Sequence, residues 1–219
     1  MPSVITTVDS LVQGVAGPSA LSADGSRLSL RMGKTGEAIV GQAHARYYEA
    51  VLRGRVYSAA MQAGGSMGTA LTATAVTLTL YNPVGSGVNL VLLSASVAMT
   101  TVPSGAGTSN YALAGNVNTL AAVPATNTAA TVRNNLLGGV AGVGIAYTAT
   151  TLPAVPVILR VIPGGIYWAT AAAAAAPMAM RDEVDGALIL VPNTAVTIQG
   201  IGAASSGIAG MTWEEVPTA

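Results

Sequence analysis

Few side chains in this sequence can do acid–base or covalent chemistry, and their spacing keeps them apart. His44 is the single histidine and cysteine is absent. A zinc site takes three or four nitrogen, sulfur or carboxylate ligands, and the only acids near His44 are Glu37 and Glu49. His44 as a general base would need a converging serine and acid, and nothing local supplies them. Gly33-Lys34-Thr35 ends like a phosphate-binding loop, but Leu28 stands where the first glycine belongs and Gly36 spoils the helix start. "GSGVNL" and "GGVAGVG" lack the third glycine and the strand–helix–strand setting of a dinucleotide site. Paired carboxylates fare no better, because no Asp or Glu lies between Glu49 and Asp182. Glu37 with Glu49, or Asp182 with Asp185, are the remaining pairs. The expectation is a non-enzyme with no metal, cofactor or catalytic residue.

The charges that do exist sit at the two ends. Arg27, Arg31, Lys34, Arg46, Arg53 and Arg55 fall in the first quarter, beside Asp9, Asp24, Glu37 and Glu49. Asp182, Glu183, Asp185, Glu214 and Glu215 face one neighbouring base, Arg181, in the last fifth. Between Arg55 and Arg133 there is no charge at all, and charged residues make up 8% of the chain against ~25% in ordinary domains. A basic end and an acidic end can pair between subunits or against a scaffold; the alternative is two solvated patches. Tyr47, Tyr48 and Tyr57 interleave with the basic residues, but six positives diluted by Glu37 and Glu49 are too few for a phosphate-tracking surface. Nucleic acid is therefore not an expected partner.

A spanning helix needs ~20 consecutive apolar residues. The richest window, residues 138–159, is broken by Tyr147, threonines, prolines and glycines, and the start of the chain lacks a basic leader and carries Asp9. No membrane partner is expected. The uncharged surface then has protein to face, which suggests obligate assembly.

Two parts are expected: residues 1–60 as an extended arm with a short helix or loop, and residues 61–219 as a β-domain. The arm's "GVAGPSALSADGSRL" lacks a period. "GQAHARYYEAVLRG" is the helix candidate, with Arg46, Glu49 and Arg53 spaced for ion pairs and Gly54 as its stop. In "AVTLTLY", Val76, Leu78 and Leu80 alternate with Thr77, Thr79 and Tyr81, which predicts a strand with threonine outward. Pro83, Gly85 and Gly87 make the next turn. "VNLVLLSASVAM" is apolar on both faces at first, as in a strand beneath another layer or a neighbouring subunit; Val88, Leu90 and Leu92 are its candidates for an oligomer interface. Further strands are expected at "GVGIAYTAT", "PVILRVI", "IYWAT", "GALILV", "AVTIQGIGA" and "GMTWEEV". Residues 101–135 read as one large irregular loop, and the alanine run at 171–176 as at most two helical turns. Short strands between Gly, Pro and Asn turns point to an all-β antiparallel sandwich or barrel.

Three segments carry a resemblance: "LRMGKTGEAIVGQAHARYYEAVLRGRVYSA", "LYNPVGSGVNLVLLSASV" and "LILVPNTAVTIQGIGAASSGIAGMTWEEVP". Together they resemble virion structural proteins of tailed bacteriophages, over residues 30–97 and 188–217. Asn193 departs from the pattern, which places glycine after the proline of "VPNT". The resemblance implies a capsid decoration or cement protein: jelly-roll-like, homotrimeric, on the capsid exterior and made in the bacterial cytoplasm. It implies the major capsid protein as partner, with Arg27, Arg31, Lys34, Arg53 and Arg55 on the capsid. A second expectation is a head-fibre or tail receptor-binding knob whose 101–135 loop reads a host glycan, with Tyr111 its only aromatic. A depolymerase on the same fold is disfavoured by the carboxylate gap.

Overall fold

The computed structural model describes residues 45–74, 77–101, 107–164, 166–168 (backbone only) and 179–218. Residues 1–44, with His44, Arg27, Arg31 and Lys34, lie outside the described residues, as do Val76 and the 171–176 alanine run. The chain divides at Tyr48/Glu49 into two compact units, and the second holds the β-structure.

The helix α1 is shorter than the pattern predicts, Tyr48–Leu52. Gly54, at a φ of 68°, ends it. The Gly54 amide donates to the Val51 carbonyl (2.8 Å) and the Arg55 amide to Ala50 (3.0 Å), the two closing bonds of a glycine-terminated helix.

Among the described residues thirteen strands follow: β1 Val56–Ala60, β2 Gly65–Ser66, β3 Thr79–Asn82, β4 Val88–Thr101, β5 Gly107–Gly115, β6 Ala125–Ala129, β7 Val132–Asn134, β8 Ile145–Thr151, β9 Val157–Val161, β10 Ile166–Trp168, β11 Ala179–Leu190, β12 Thr194–Gly202 and β13 Ser206–Pro217. One sheet runs β11-β4-β13-β1-β7, with β2 also on β13; the other runs β10-β5-β12-β3-β8-β6, with β9 also on β5. Every ladder is antiparallel. The protein is an all-β antiparallel sandwich. Residues 56–60, assigned to the arm on sequence, are its strand β1, paired with β13 and β7.

The core joins both sheets: Leu90, Leu92, Val97, Met211 and Trp213 from one, Leu78, Leu80, Tyr111, Leu113 and Ile198 beneath or within the other. Tyr57 stacks on its cross-strand partner Trp213, ring centroids 6.2 Å apart. The stretch Leu80–Leu92 is no hairpin. β3 and β4 lie in different sheets, so the 83–87 turn carries the chain across the sandwich. The threonines on the face away from the main core are not exposed: Thr77 before β3 and Thr79 within it are buried with Leu78, Leu80, Tyr81 and Asn82. Leu78 and Leu80 pack in the core between the sheets, and the other face is covered by a second cluster, Tyr81 with Leu120, Tyr147, Leu152 and Ala195.

The irregular period of β4 has a local cause. Leu92 faces Trp213 and Ser94 faces Thr212, so Leu93 is an extra residue with no partner on β13. A bulge of one residue moves the inward set to the other parity. Leu90 and Leu92 point inward before it, Ala95, Val97 and Met99 after it. Across from it β11 also slips its register between Glu183 and Leu188, where Asp185 and Gly186 take positive φ.

Residues 101–135 are not one loop. They contain β5, whose Ser109, Tyr111 and Leu113 are buried on alternate positions, and the edge strands β6 and β7. Small residues between the inward side chains, as in "NYALAG", hide the alternation from a reading by hydrophobicity.

Candidate functional site

Each concentration of polar chemistry in the sandwich is used by the chain itself. The clearest lies at the glycine-rich stretch 138–144. Glu215 holds an inward position on β13 and is 6% exposed. Its carboxylate accepts the amides of Val143 (2.9 Å) and Gly144 (2.8 Å), and the Trp213 indole N–H at 3.4 Å. A β-carbon on Gly142 would sit 2.6 Å from Glu215 Oε1, so glycine there lets the backbone close on the acid. The stretch cradles an anion, as glycine-rich loops do, and the anion is its own Glu215. Tyr57 lies beside it; burial first, then the Glu215 charge, raises its phenol above the ordinary 10.0.

The second acid of the C-terminal cluster is equally committed. Asp182 is 3% exposed and takes a two-pronged contact from Arg160 on β9, Nε to Oδ2 at 2.5 Å and Nη2 to Oδ1 at 3.0 Å. That hydrogen bond and the charge of Asp182, with Asp185 adding to them, raise the Arg160 guanidinium further. The pair ties the edge of one sheet to the edge of the other. The acidic end is therefore not a single solvated patch: Asp182 and Glu215 are inside, because strand period 2 turns every second residue of β11 and β13 inward.

The expected site residues separate. Arg53 is exposed just after α1 and Arg55 is half-buried before β1, where its carbonyl accepts the Glu215 amide at 2.8 Å. Leu90 and Leu92 are wholly buried in the chain's own core and leave no surface there for a neighbour. Val88 is half-buried, its carbonyl held by the Asn82 side chain at 2.8 Å. The two-faced apolarity of β4 is spent between the sheets and at its bulge. Tyr111, the aromatic expected on a glycan-reading loop, is buried in the core with its hydroxyl 2.8 Å from Ser205 Oγ; burial raises its phenol above 10.0. Among the described residues no three His, Asp or Glu side chains gather as a metal site, and no helix is long and apolar enough to cross a membrane.

One edge of the sandwich is openly apolar. β9 exposes Val157, Ile158, Leu159 and Val161 on both of its faces, each 44–59% accessible. Val155 before it and Ile189 on β11 are also exposed, at 58% and 56%. Leu159 and Ile189 both line a cavity of about 190 Å³, whose walls are otherwise residues 116–119, the end of β11 and the start of β12. The signal in the sequence was the unbroken run "PVILRVI", whose lack of alternation fits a strand buried on both sides; nothing local says that it stands at an edge.

Compared with protein-family models, characterised proteins and solved structures, the chain matches none of them. The resemblance to phage virion proteins thus rests on its quoted residues alone.

Proposed function

We propose that this protein is a non-enzymatic assembly protein of the capsid decoration type, docking on a shell of other subunits and stabilising it. The observation that carries this reading is the exposed apolar strand β9, where Val157, Ile158, Leu159 and Val161 stand open side by side with Val155 before them. Apolar surface gathered in one place marks contact with protein. The uncharged middle of the chain supports the same conclusion. Arg53 and Arg55, with Arg27, Arg31 and Lys34 of the N-terminal segment, supply charge suited to an acidic shell surface, and self-association into a homotrimer belongs to the proposal. The receptor-knob alternative loses its stacking aromatic, Tyr111, to the core.

The test is co-sedimentation with undecorated phage capsids. The full chain should pellet with them and raise the temperature at which they open. Removing residues 1–25 should abolish pelleting while the sandwich keeps its buried-tryptophan fluorescence. Pelleting by the truncated chain would count against the arm, and no pelleting by the full chain against the whole reading.

A further inference from the structure

Sheet edges present unpaired backbone donors and acceptors, and natural proteins guard them with charge, bulges, brevity or polar side chains. Three edges of this sandwich are guarded. β7 is three residues long and carries Arg133. β11 is bulged at Asp185 and Gly186 and bears Arg181, Asp182 and Glu183. β6 is the polar run "ATNTA". β9 is short, five residues, and its register against β5 slips at Leu159, but its open side chains Val157, Ile158, Leu159 and Val161 are apolar. β5 takes one of its edges, and the other has no strand partner among the described residues. Its one charge, Arg160, is cancelled by Asp182.

We infer that the β9 edge is the surface on which a second copy of this chain docks. Three features favour a copy over a foreign peptide. The apolar surface continues past β9 to Ile189 on β11, so its occupant is broader than a single added strand. The charges within it are paired internally, Arg160 with Asp182 and Arg181 with Glu183, so the surface calls for no oppositely charged occupant. The area also fits. Scaled by their exposures, Val155, Val157, Ile158, Leu159, Val161 and Ile189 leave on the order of 500 Å² of apolar surface, and interfaces of ~800 Å² per partner are ~56–65% apolar.

This deepens the assembly reading by naming its self-contact, and it is tested without any shell present. Wild-type protein, Val161→Glu, Ile189→Glu and the control Leu137→Glu are compared by light scattering and sedimentation across a concentration series. Leu137 is 90% exposed and lies on the 135–144 connection, off this edge. Wild type and the control should associate alike. Each edge variant should stay folded by tryptophan fluorescence and weaken association at least about 30-fold, as loss of a central contact does. Should one edge variant misfold, the other carries the test. A wild type that is monomeric throughout, or an oligomer indifferent to both edge variants, overturns the inference. Shell co-sedimentation is scored separately, so failure of self-association and failure of shell binding are distinguishable.

Discussion

Asn193 shows how one residue can hold two sheets in place. The chain leaves β11 in one sheet and enters β12 in the other through residues 191–193, and Asn193 makes the bend at a φ of 65°. That is the left-handed conformation for which glycine is the usual choice and asparagine the common substitute. Here asparagine adds what glycine lacks. Its side-chain amide donates to the Leu120 carbonyl at 2.9 Å, and its backbone amide to Asn82 at 2.8 Å. Asn82 in turn donates to Val88 and Leu190, both at 2.8 Å, which joins this crossing to the one between β3 and β4. The departure from glycine seen in "VPNT" therefore keeps the backbone shape and gains a tether. Asn193→Gly should lose only the side-chain contacts, the bond to Leu120 and the long one accepted from the Tyr81 hydroxyl at 3.5 Å, about 1 kcal/mol. Asn193→Ala should lose the same contacts and also strain the left-handed backbone, about 2–3 kcal/mol in total. Urea midpoints at equal slope would show the order wild type, glycine, alanine; alanine equal to glycine would remove the conformational half of this account.

At the scale of elements, β13 does the most. It is strictly alternating, with Gly207, Ala209, Met211, Trp213 and Glu215 inward, and it lies between β4 and β1. Its inward acid fastens the 142–144 segment. Glu215→Gln should place an amide donor among the donors of Val143, Gly144 and Trp213, at a cost of about 1–3 kcal/mol, and hydrogen exchange at the 143 and 144 amides should accelerate. The same change should lower the Tyr57 phenol toward its ordinary value, since removal of the Glu215 charge eases formation of the phenolate while burial still resists it. An ultraviolet pH titration reads that shift, and an unmoved Tyr57 would mean that the two groups do not sense each other.

β13 was legible in "GMTWEEV", as β8, β9 and β12 were in their own runs, because each carries its hydrophobic signal locally. β5 was not, since alanine and glycine share its length with Tyr111 and Leu113. The bulge at Leu93 appears in the sequence only as a broken period, and what the break means depends on β13 pairing across it. The inward use of Asp182 and Glu215 was hidden for a similar reason: their partners, Arg160 and the 143–144 amides, are remote in sequence.

The topology of the whole sandwich has a consequence that no single strand contains. Among the described residues, no two consecutive strands pair with each other. β1 pairs with β13 and β7, β4 with β11 and β13, and β12 with β3 and β5. Every ladder must therefore close a loop at least one strand long before it is rewarded, and sheet proteins of this kind fold in about milliseconds to seconds. More pointedly, β4 and β1 have no ladder joining them until β13 arrives from the end of the chain. A chain stopped after residue 205 lacks that central strand, the core side chain of Trp213 and the Glu215 clamp, and half of one sheet would expose unpaired edges. It should show no cooperative unfolding transition and should be cut rapidly by protease in the 56–101 region, where the full chain resists. Adding a separate peptide of residues 206–219 should restore resistance in proportion to its occupancy, because the missing strand contributes its contacts without needing the 203–205 connection. A cooperative, protease-resistant fold of the 1–205 chain on its own would show instead that β4 and β1 find each other without β13, and that the last strand only completes a sheet already formed.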